Sequence, residues 1–127
     1  MKISIIFLLF LVTKTMSGQG VFTSFSTQYF PSSKVEKIDR VITFDDERIT
    51  IKSLAGNKVK IKTLFIKRKI FNYDDEESYV VYECASRNGT SPTTVMLPTE
   101  RPDHITFFQT SLTNPEKVLE YKMLLDK

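Results

Sequence analysis

Residues 41–65 read VITFDDERITIKSLAGNKVKIKTLF, and apolar side chains alternate with polar ones along most of this segment. Alternation with period two is typical of β-strands that have one buried face. The acidic residues 45–47 interrupt the pattern where a tight turn is needed, so the alternating residues on either side predict a β-hairpin. A second turn is predicted at Ala-Gly-Asn, residues 55–57. The segment therefore indicates three consecutive antiparallel strands.

The third of these strands carries its positive charge on one face. Side chains of Val59, Ile61, Thr63 and Phe65 share one side, and three lysines at two-residue steps form a row about 7 Å apart on the other. Such a row can meet a phosphate-rich or acidic surface, such as lipopolysaccharide or an anionic glycan. Lysines also protect exposed strands from edge-to-edge pairing, which is the alternative interpretation. The candidate binding residues are Lys58, Lys60, Lys62, Lys67, Arg68 and Lys69.

Further strands are predicted on both sides of this segment. Alternation over residues 21–29 predicts a first strand in which one face is shared by Val21, Thr23, Phe25, Thr27 and Tyr29. Residues 79–85, 93–97 and 105–109 are predicted strands, and Asn88-Gly89 is a strong turn pair. The total is about seven antiparallel strands, which fits a small sandwich, a barrel or one curved sheet in a mainly β domain.

The C-terminal segment fits two structures. Asn114, Pro115 and Glu116 form a good helix start, with an N-cap, a proline in the first turn and an acid near the positive end of the helix dipole. Apolar residues also alternate with polar ones over residues 119–125, which is typical of a strand. We favour a helix over residues 115–125, which would make the fold α+β if the helix packs on the sheet.

The first 18 residues resemble a secretory signal peptide. Lys2 precedes an apolar run of ten residues, 3–12, and small or polar residues follow it. A membrane-spanning helix needs about 20 apolar residues, so this run is too short for an anchor. We expect cleavage after Gly18, a single domain over residues 19–127, and a secreted or periplasmic protein without a transmembrane span.

The predicted cleavage changes the charge and, with it, the expected partners. Residues 1–18 hold two lysines and no acid, so the mature chain keeps 16 Lys and Arg against 15 Asp and Glu, and its formal net charge falls from +3 to +1. A nucleic-acid-binding protein needs a strongly basic footprint. The composition therefore argues against nucleic acid as a partner.

Two residue types could support hydrolytic chemistry. His104 is the single histidine, follows Asp103, and could act as a general base. Neighbouring strand residues point to opposite faces, however, and no Gly-x-Ser-x-Gly motif supplies a nucleophile. Cys84 could be a nucleophile paired with His104, but a lone cysteine within an apolar strand is typical of the core. We predict a surface histidine and a buried thiol.

Metal binding and glycosylation have little support in the sequence. One cysteine and one histidine are too few for a zinc site. The acidic runs 45–47 and 74–77 could hold calcium but lack the pattern of a defined calcium loop, so we interpret them as solvated turns. Asn88-Gly89-Thr90 matches an N-glycosylation acceptor, which has meaning only in a eukaryotic source. We predict no metal and no cofactor.

The signal ending in Gly18-Gln19, the hairpin of residues 41–51 and the Asn88-Gly89 turn are similar to those of small exported β-rich proteins of Bacteroidota-type bacteria. This resemblance implies export and a β-rich fold. No activity is established for that group, so it implies no functional residues.

These observations lead to one favoured hypothesis and two alternatives. We expect a non-enzymatic binding or accessory module of the cell envelope or the extracellular space, whose partner is an anionic glycan, a lipid or a protein surface. A β-barrel that binds a small apolar ligand among its aromatic side chains is the first alternative. A hydrolase that uses His104 is the second.

Overall fold

The computed structural model describes residues 20–73, 77–86, 92–110, 114 and 116–126, and most of these lie in β-strands. The predicted signal peptide, the Asn88-Gly89 turn and most of the acidic run 74–77 lie outside the described residues. The strands in chain order are β1 (Gly20–Phe30), β2 (Val35–Phe44), β3 (Arg48–Ala55), β4 (Lys58–Tyr73), β5 (Ser78–Ser86), β6 (Pro92–Pro98), β7 (His104–Thr110) and β8 (Val118–Leu125).

The strands form a closed antiparallel barrel. Each strand pairs with the next one along the chain, and β8 returns to pair with β1. The mainly β prediction is confirmed, and of the three predicted arrangements the barrel is the one observed. The sandwich and the single curved sheet are wrong, because both would leave open edges that the β1–β8 pairing removes.

Successive turns of such a barrel lie at opposite ends. The β3–β4 turn contains Gly56, whose φ of 65° is a left-handed conformation that glycine adopts without a Cβ penalty. We name this the Gly56 end of the barrel; the β1–β2 connection lies there as well. The β2–β3 turn lies at the other end, where the Asp45 Oδ1 accepts hydrogen bonds from the backbone N–H groups of Glu47 and Arg48, both at 2.8 Å. The hairpin predicted over this segment is confirmed, with Phe44 opposite Ile49 and Ile42 opposite Ile51.

Apolar side chains fill the middle of the barrel. The Phe107 ring stacks on Tyr121 with 5.0 Å between centroids, and Phe44 packs against Tyr82 at 5.2 Å. The largest side chains with almost no exposed surface include Phe44, Phe107, Ile42, Ile49, Leu64, Ile105 and Val95. Alternate residues of the strands supply this core, as the period-two pattern requires.

The helix predicted over residues 115–125 is wrong, since residues 118–125 form β8. Tyr121, Met123 and Leu125 point into the core, and the strand bonds to both β1 and β7. As a helix, the segment would turn these three side chains in different directions and leave two sheet edges unpaired. Closure of the barrel therefore decides between the two patterns that this segment contains.

The prediction that Val21, Phe25 and Tyr29 share a face is wrong. The register of β1 shifts between Ser24 and Ser26 against both of its neighbours. A bulge of this kind adds a residue and reverses the facing of every side chain beyond it. Val21 and Phe25 are exposed, whereas Tyr29 lies opposite Tyr121 on the inner face.

Candidate functional site

The three lysines of the first half of β4 line the inner face of the barrel wall near the Gly56 end. Directly opposite residues of an antiparallel pair share a face. Lys62 is opposite Ile51, a core residue, and Lys60 and Lys58 follow on the same side at two-residue steps. These side chains are exposed because the wall opens to solvent at this point, one step beyond the buried Leu64. We call Lys58, Lys60 and Lys62 the lysine row.

The prediction that these lysines share one face is confirmed, and that face is the inner one. The alternating residues Val59 and Ile61 consequently point outward, with 61% and 62% of their surface exposed. The register against β3 imposes this orientation, because Leu64 and Ile49 are paired in the core.

Lys62 is the most enclosed member of the lysine row. Its Nζ donates a hydrogen bond to Oε1 of Gln109 on β7 at 3.3 Å, so the side chain reaches across the opening. Burial lowers the pKa of Lys62, because a partly dehydrated ammonium loses solvation. Within the described part of the chain, no carboxylate forms an ion pair with any residue of the lysine row. An anion would supply the missing counter-charge.

A fixed arginine adds positive charge beside the lysine row. Arg40, Ser53 and Lys60 occupy facing positions on β2, β3 and β4, so they form one cross-strand row on the inner face. The Arg40 side chain is only 11% exposed; it donates to Ser53 Oγ at 3.0 Å, to the Thr27 hydroxyl, and to Glu36 at 3.3 Å.

Glu36 balances one positive charge of this group. Its carboxylate bonds to Arg40 and also accepts a hydrogen bond from the Tyr29 hydroxyl at 3.0 Å. Burial, and then the nearby Glu36, raise the pKa of Tyr29, so this hydroxyl stays a donor. Among the described residues on this part of the inner face, the three charges of the lysine row are left without a carboxylate partner.

The remaining three predicted binding residues lie elsewhere on β4. A register shift between Ile66 and Arg68 separates them from the lysine row and changes their facing. The Arg68 guanidinium forms an ion pair with Glu83 at 2.9 Å, on the outside of the wall. The Lys69 Nζ lies 5.2 Å from the Phe71 ring and 5.6 Å from the Tyr82 ring, on the inner side. Lys67, Arg68 and Lys69 therefore do not form one continuous surface with the lysine row.

The predicted histidine lies in a recess on the outside of the barrel. His104 begins β7, and its Nδ1 is 2.6 Å from Oδ1 of Asp103. Asp103 precedes the strand, so the argument that the two side chains must point to opposite faces is wrong. The recess has a volume of about 240 Å³, and its lining comes from four strands, including Tyr79, Met96, Thr106, Phe108 and Lys122. The residues that line this recess are too far apart in the sequence for a local pattern to predict it.

Cys84 and His104 do not come together, and the prediction of a buried thiol at Cys84 is confirmed. Cys84 lies in the core among inward-facing residues of β5, as predicted, whereas His104 lies in the outer recess. Burial raises the pKa of the Cys84 thiol to about 12, so the thiol is protonated at neutral pH. The structure therefore provides neither the contact nor the thiolate that such a nucleophile needs.

Comparisons with known proteins add no family assignment. No family model matches the chain, and no curated protein or solved structure is significantly similar to it. Among the described residues, no helix has the length and hydropathy that a membrane span requires. Within the same residues, no three histidine, cysteine or acidic side chains are grouped in a way that could hold a metal ion.

Proposed function

We propose that the protein is an exported, non-enzymatic binding module that takes an anionic ligand at the lysine row. The observation that carries the proposal is the position of Lys58, Lys60 and Lys62 on the inner face, without ion-pair partners among the described residues. Partial dehydration of Lys62 strengthens its attraction for an anion, since Coulomb interactions are less screened away from bulk water.

The inward orientation favours a ligand that enters the barrel end over a flat anionic surface. A bilayer would approach the rim and the outer wall, whereas the three ammonium groups start from the inner wall. An anionic oligosaccharide can extend into the opening and place several sulfate, phosphate or carboxylate groups along a row with a spacing of about 7 Å. We therefore favour an anionic glycan as the ligand class.

The two alternative functions have weaker support. A small apolar ligand would have to displace the side chains of Phe44, Phe107 and their neighbours, which fill the middle of the barrel. A hydrolase at His104 would need a nucleophile, and Cys84 lies on the other side of the wall.

Charge reversal of the lysine row is expected to abolish glycan binding. The probe is a heparin-derived oligosaccharide, titrated by calorimetry at physiological salt and again at high salt. The triple variant K58E/K60E/K62E is expected to bind at least about tenfold more weakly, and wild-type binding is expected to fall at high salt. Loss of three attractive charges and gain of three repulsive ones accounts for this direction.

The matched control is K37E/K67E/K122E, which changes the net charge equally at positions away from the lysine row. This variant is expected to keep most of the wild-type affinity. Equal losses of affinity in both triple variants would show that binding depends only on net charge, and would contradict the lysine row as the binding site. A wild-type protein that does not bind the oligosaccharide would contradict the ligand class.

Export is tested separately, by mass spectrometry of the protein purified from its own host. The expected mass is that of residues 19–127, since signal peptidase prefers a small residue such as Gly18 before the cleaved bond. A full-length mass from the soluble intracellular fraction would contradict export without affecting the binding proposal.

A further inference from the structure

The outer face of β2, β3 and β4 carries an apolar patch on the opposite side of the wall from the lysine row. Its members point away from the core and are exposed, and we call them the outer patch: Val41, Leu54, Val59 and Ile61. Leu54 lies directly opposite Val59, and Ile61 follows Val59 on the same face of β4, while Lys52 lies between Val41 and Ile61. Val21 and Phe25 extend the apolar surface onto β1.

In the first half of β4, the polar and apolar side chains face the opposite way from those of an ordinary barrel wall. Over residues 58–62 the apolar side chains face outward and the lysines face inward. A water-exposed wall normally alternates in the opposite sense, since burial of apolar surface drives folding. Several exposed apolar side chains gathered around a single lysine, Lys52, are typical of an interaction face. A groove of about 470 Å³ runs along it, lined by Val41, Leu54 and Val59 among others.

The charges within the groove favour a second copy of this chain as its partner. Lys52, Asp39 and Asp126 line the groove, and none of them forms an ion pair in the part of the chain that the structure describes. A two-fold axis presents the same surface from both sides, so Lys52 of one copy can approach Asp39 of the other, twice per interface. An anionic membrane is disfavoured, because Asp39 and Asp126 offset Lys52 and Arg40, which also lines the groove, and leave no net positive charge to attract it.

We propose that the outer patch is the contact face of a homodimer in which the β1–β4 walls of two barrels pack against each other. The proposal is independent of ligand binding, because the lysine row lies on the inner face. Strands about 4.8 Å apart, with outward residues about 7 Å apart, give a face of about 400 Å² in projection. This size is typical of a weak interface, so the dimer dissociates on dilution into the micromolar range.

Sedimentation velocity over a dilution series from about 1 mM to about 1 μM tests the dimer. The wild-type protein is expected to shift from dimer to monomer across this range. The variant I61D is expected to remain monomeric throughout, with its fold checked by circular dichroism. V118D replaces another exposed apolar residue, which lies on β8 outside the outer patch, and this variant is expected to dimerise like the wild type.

A charge-exchange experiment tests the arrangement itself. K52D and D39K each place like charges together in the two-fold dimer, so each variant alone is expected to dimerise at least about tenfold more weakly. An equimolar mixture is expected to form the heterodimer. The introduced aspartate of one copy then meets the introduced lysine of the other, and the unchanged Lys52 meets the unchanged Asp39.

Three results would overturn the proposal. The first is a wild-type protein that is monomeric at about 1 mM. The second is a mixture of K52D and D39K that fails to associate, which would remove the Lys52–Asp39 contact. The third is a wild-type monomer that binds anionic phospholipid vesicles and loses this binding in I61D, which would assign the outer patch to a membrane surface.

Discussion

Replacement of Phe107 by alanine is expected to lower the free energy of unfolding by about 3–5 kcal/mol. The Phe107 side chain has 0% of its surface exposed, and its ring stacks on Tyr121 at 5.0 Å. Truncation leaves a cavity in the centre of a closed barrel, where the surrounding strands are held in place by pairing on both sides. Small domains have only about 5–15 kcal/mol of total stability, so a measurable unfolded population is expected. Urea unfolding followed by circular dichroism gives the change.

The matched control for this prediction is F71A. The Phe71 side chain is 55% exposed near the end of β4, so its loss is expected to cost less than about 1 kcal/mol. Similar losses for F107A and F71A would show that Phe107 does not lie in the stability-determining core.

Alkaline pH is expected to destabilise the protein. Burial raises the pKa of the Cys84 thiol from 9.0 and that of the Tyr121 hydroxyl from 10.0, each to about 12. The folded state then holds protons that the unfolded state releases above pH 9, so the stability is fully present below pH 9 and is lost as the pH rises toward 12. At 1.36 kcal/mol per pKa unit, deprotonation of Cys84 alone lowers the free energy of unfolding by at most about 4 kcal/mol. Urea midpoints measured at a series of pH values test this dependence.

Two variants distinguish the contributions of Cys84 and Tyr121 to the loss of stability at alkaline pH. C84A removes the first titrating group, so its stability is expected to fall later, above pH 10. Y121F keeps the ring and removes the hydroxyl. Its stability is expected to begin to fall at pH 9, as in the wild type, and to fall less than that of the wild type above pH 10. A pH profile of C84A that is parallel to that of the wild type would contradict the role of the buried thiol.

Local patterns predicted most of the strands. The hairpin of residues 41–51 is present because Ile42, Phe44, Ile49 and Ile51 share one face across a turn that the Asp45 carboxylate stabilises. The buried position of Cys84 followed from the apolar strand around it. In each case, residues close in the sequence contain all the necessary information.

Two local patterns were misleading because a distant strand decides the structure. Residues 114–116 fit a helix start and residues 119–125 fit a strand alternation, and only pairing with β1 and β7 selects the strand. The alternation of β1 continues without interruption past Phe25, yet the bulge there reverses the facing of Tyr29. A bulge depends on the register of both neighbouring strands, and the sequence of one strand does not contain that register.

The sequence by itself determined that the protein is mainly β and that Lys58, Lys60 and Lys62 share one face, because both follow from period-two alternation. It also determined that Cys84 belongs to the core, because the strand around it is apolar. Only the tertiary structure decided that the lysine row faces inward, that Val59 and Ile61 face outward, and that a register shift after Ile66 turns Arg68 away from the face of the lysine row. Alternation defines two faces of a strand but does not say which one is buried. That choice is made by the pairing of Leu64 with Ile49 and by barrel closure, which bring together residues far apart in the chain.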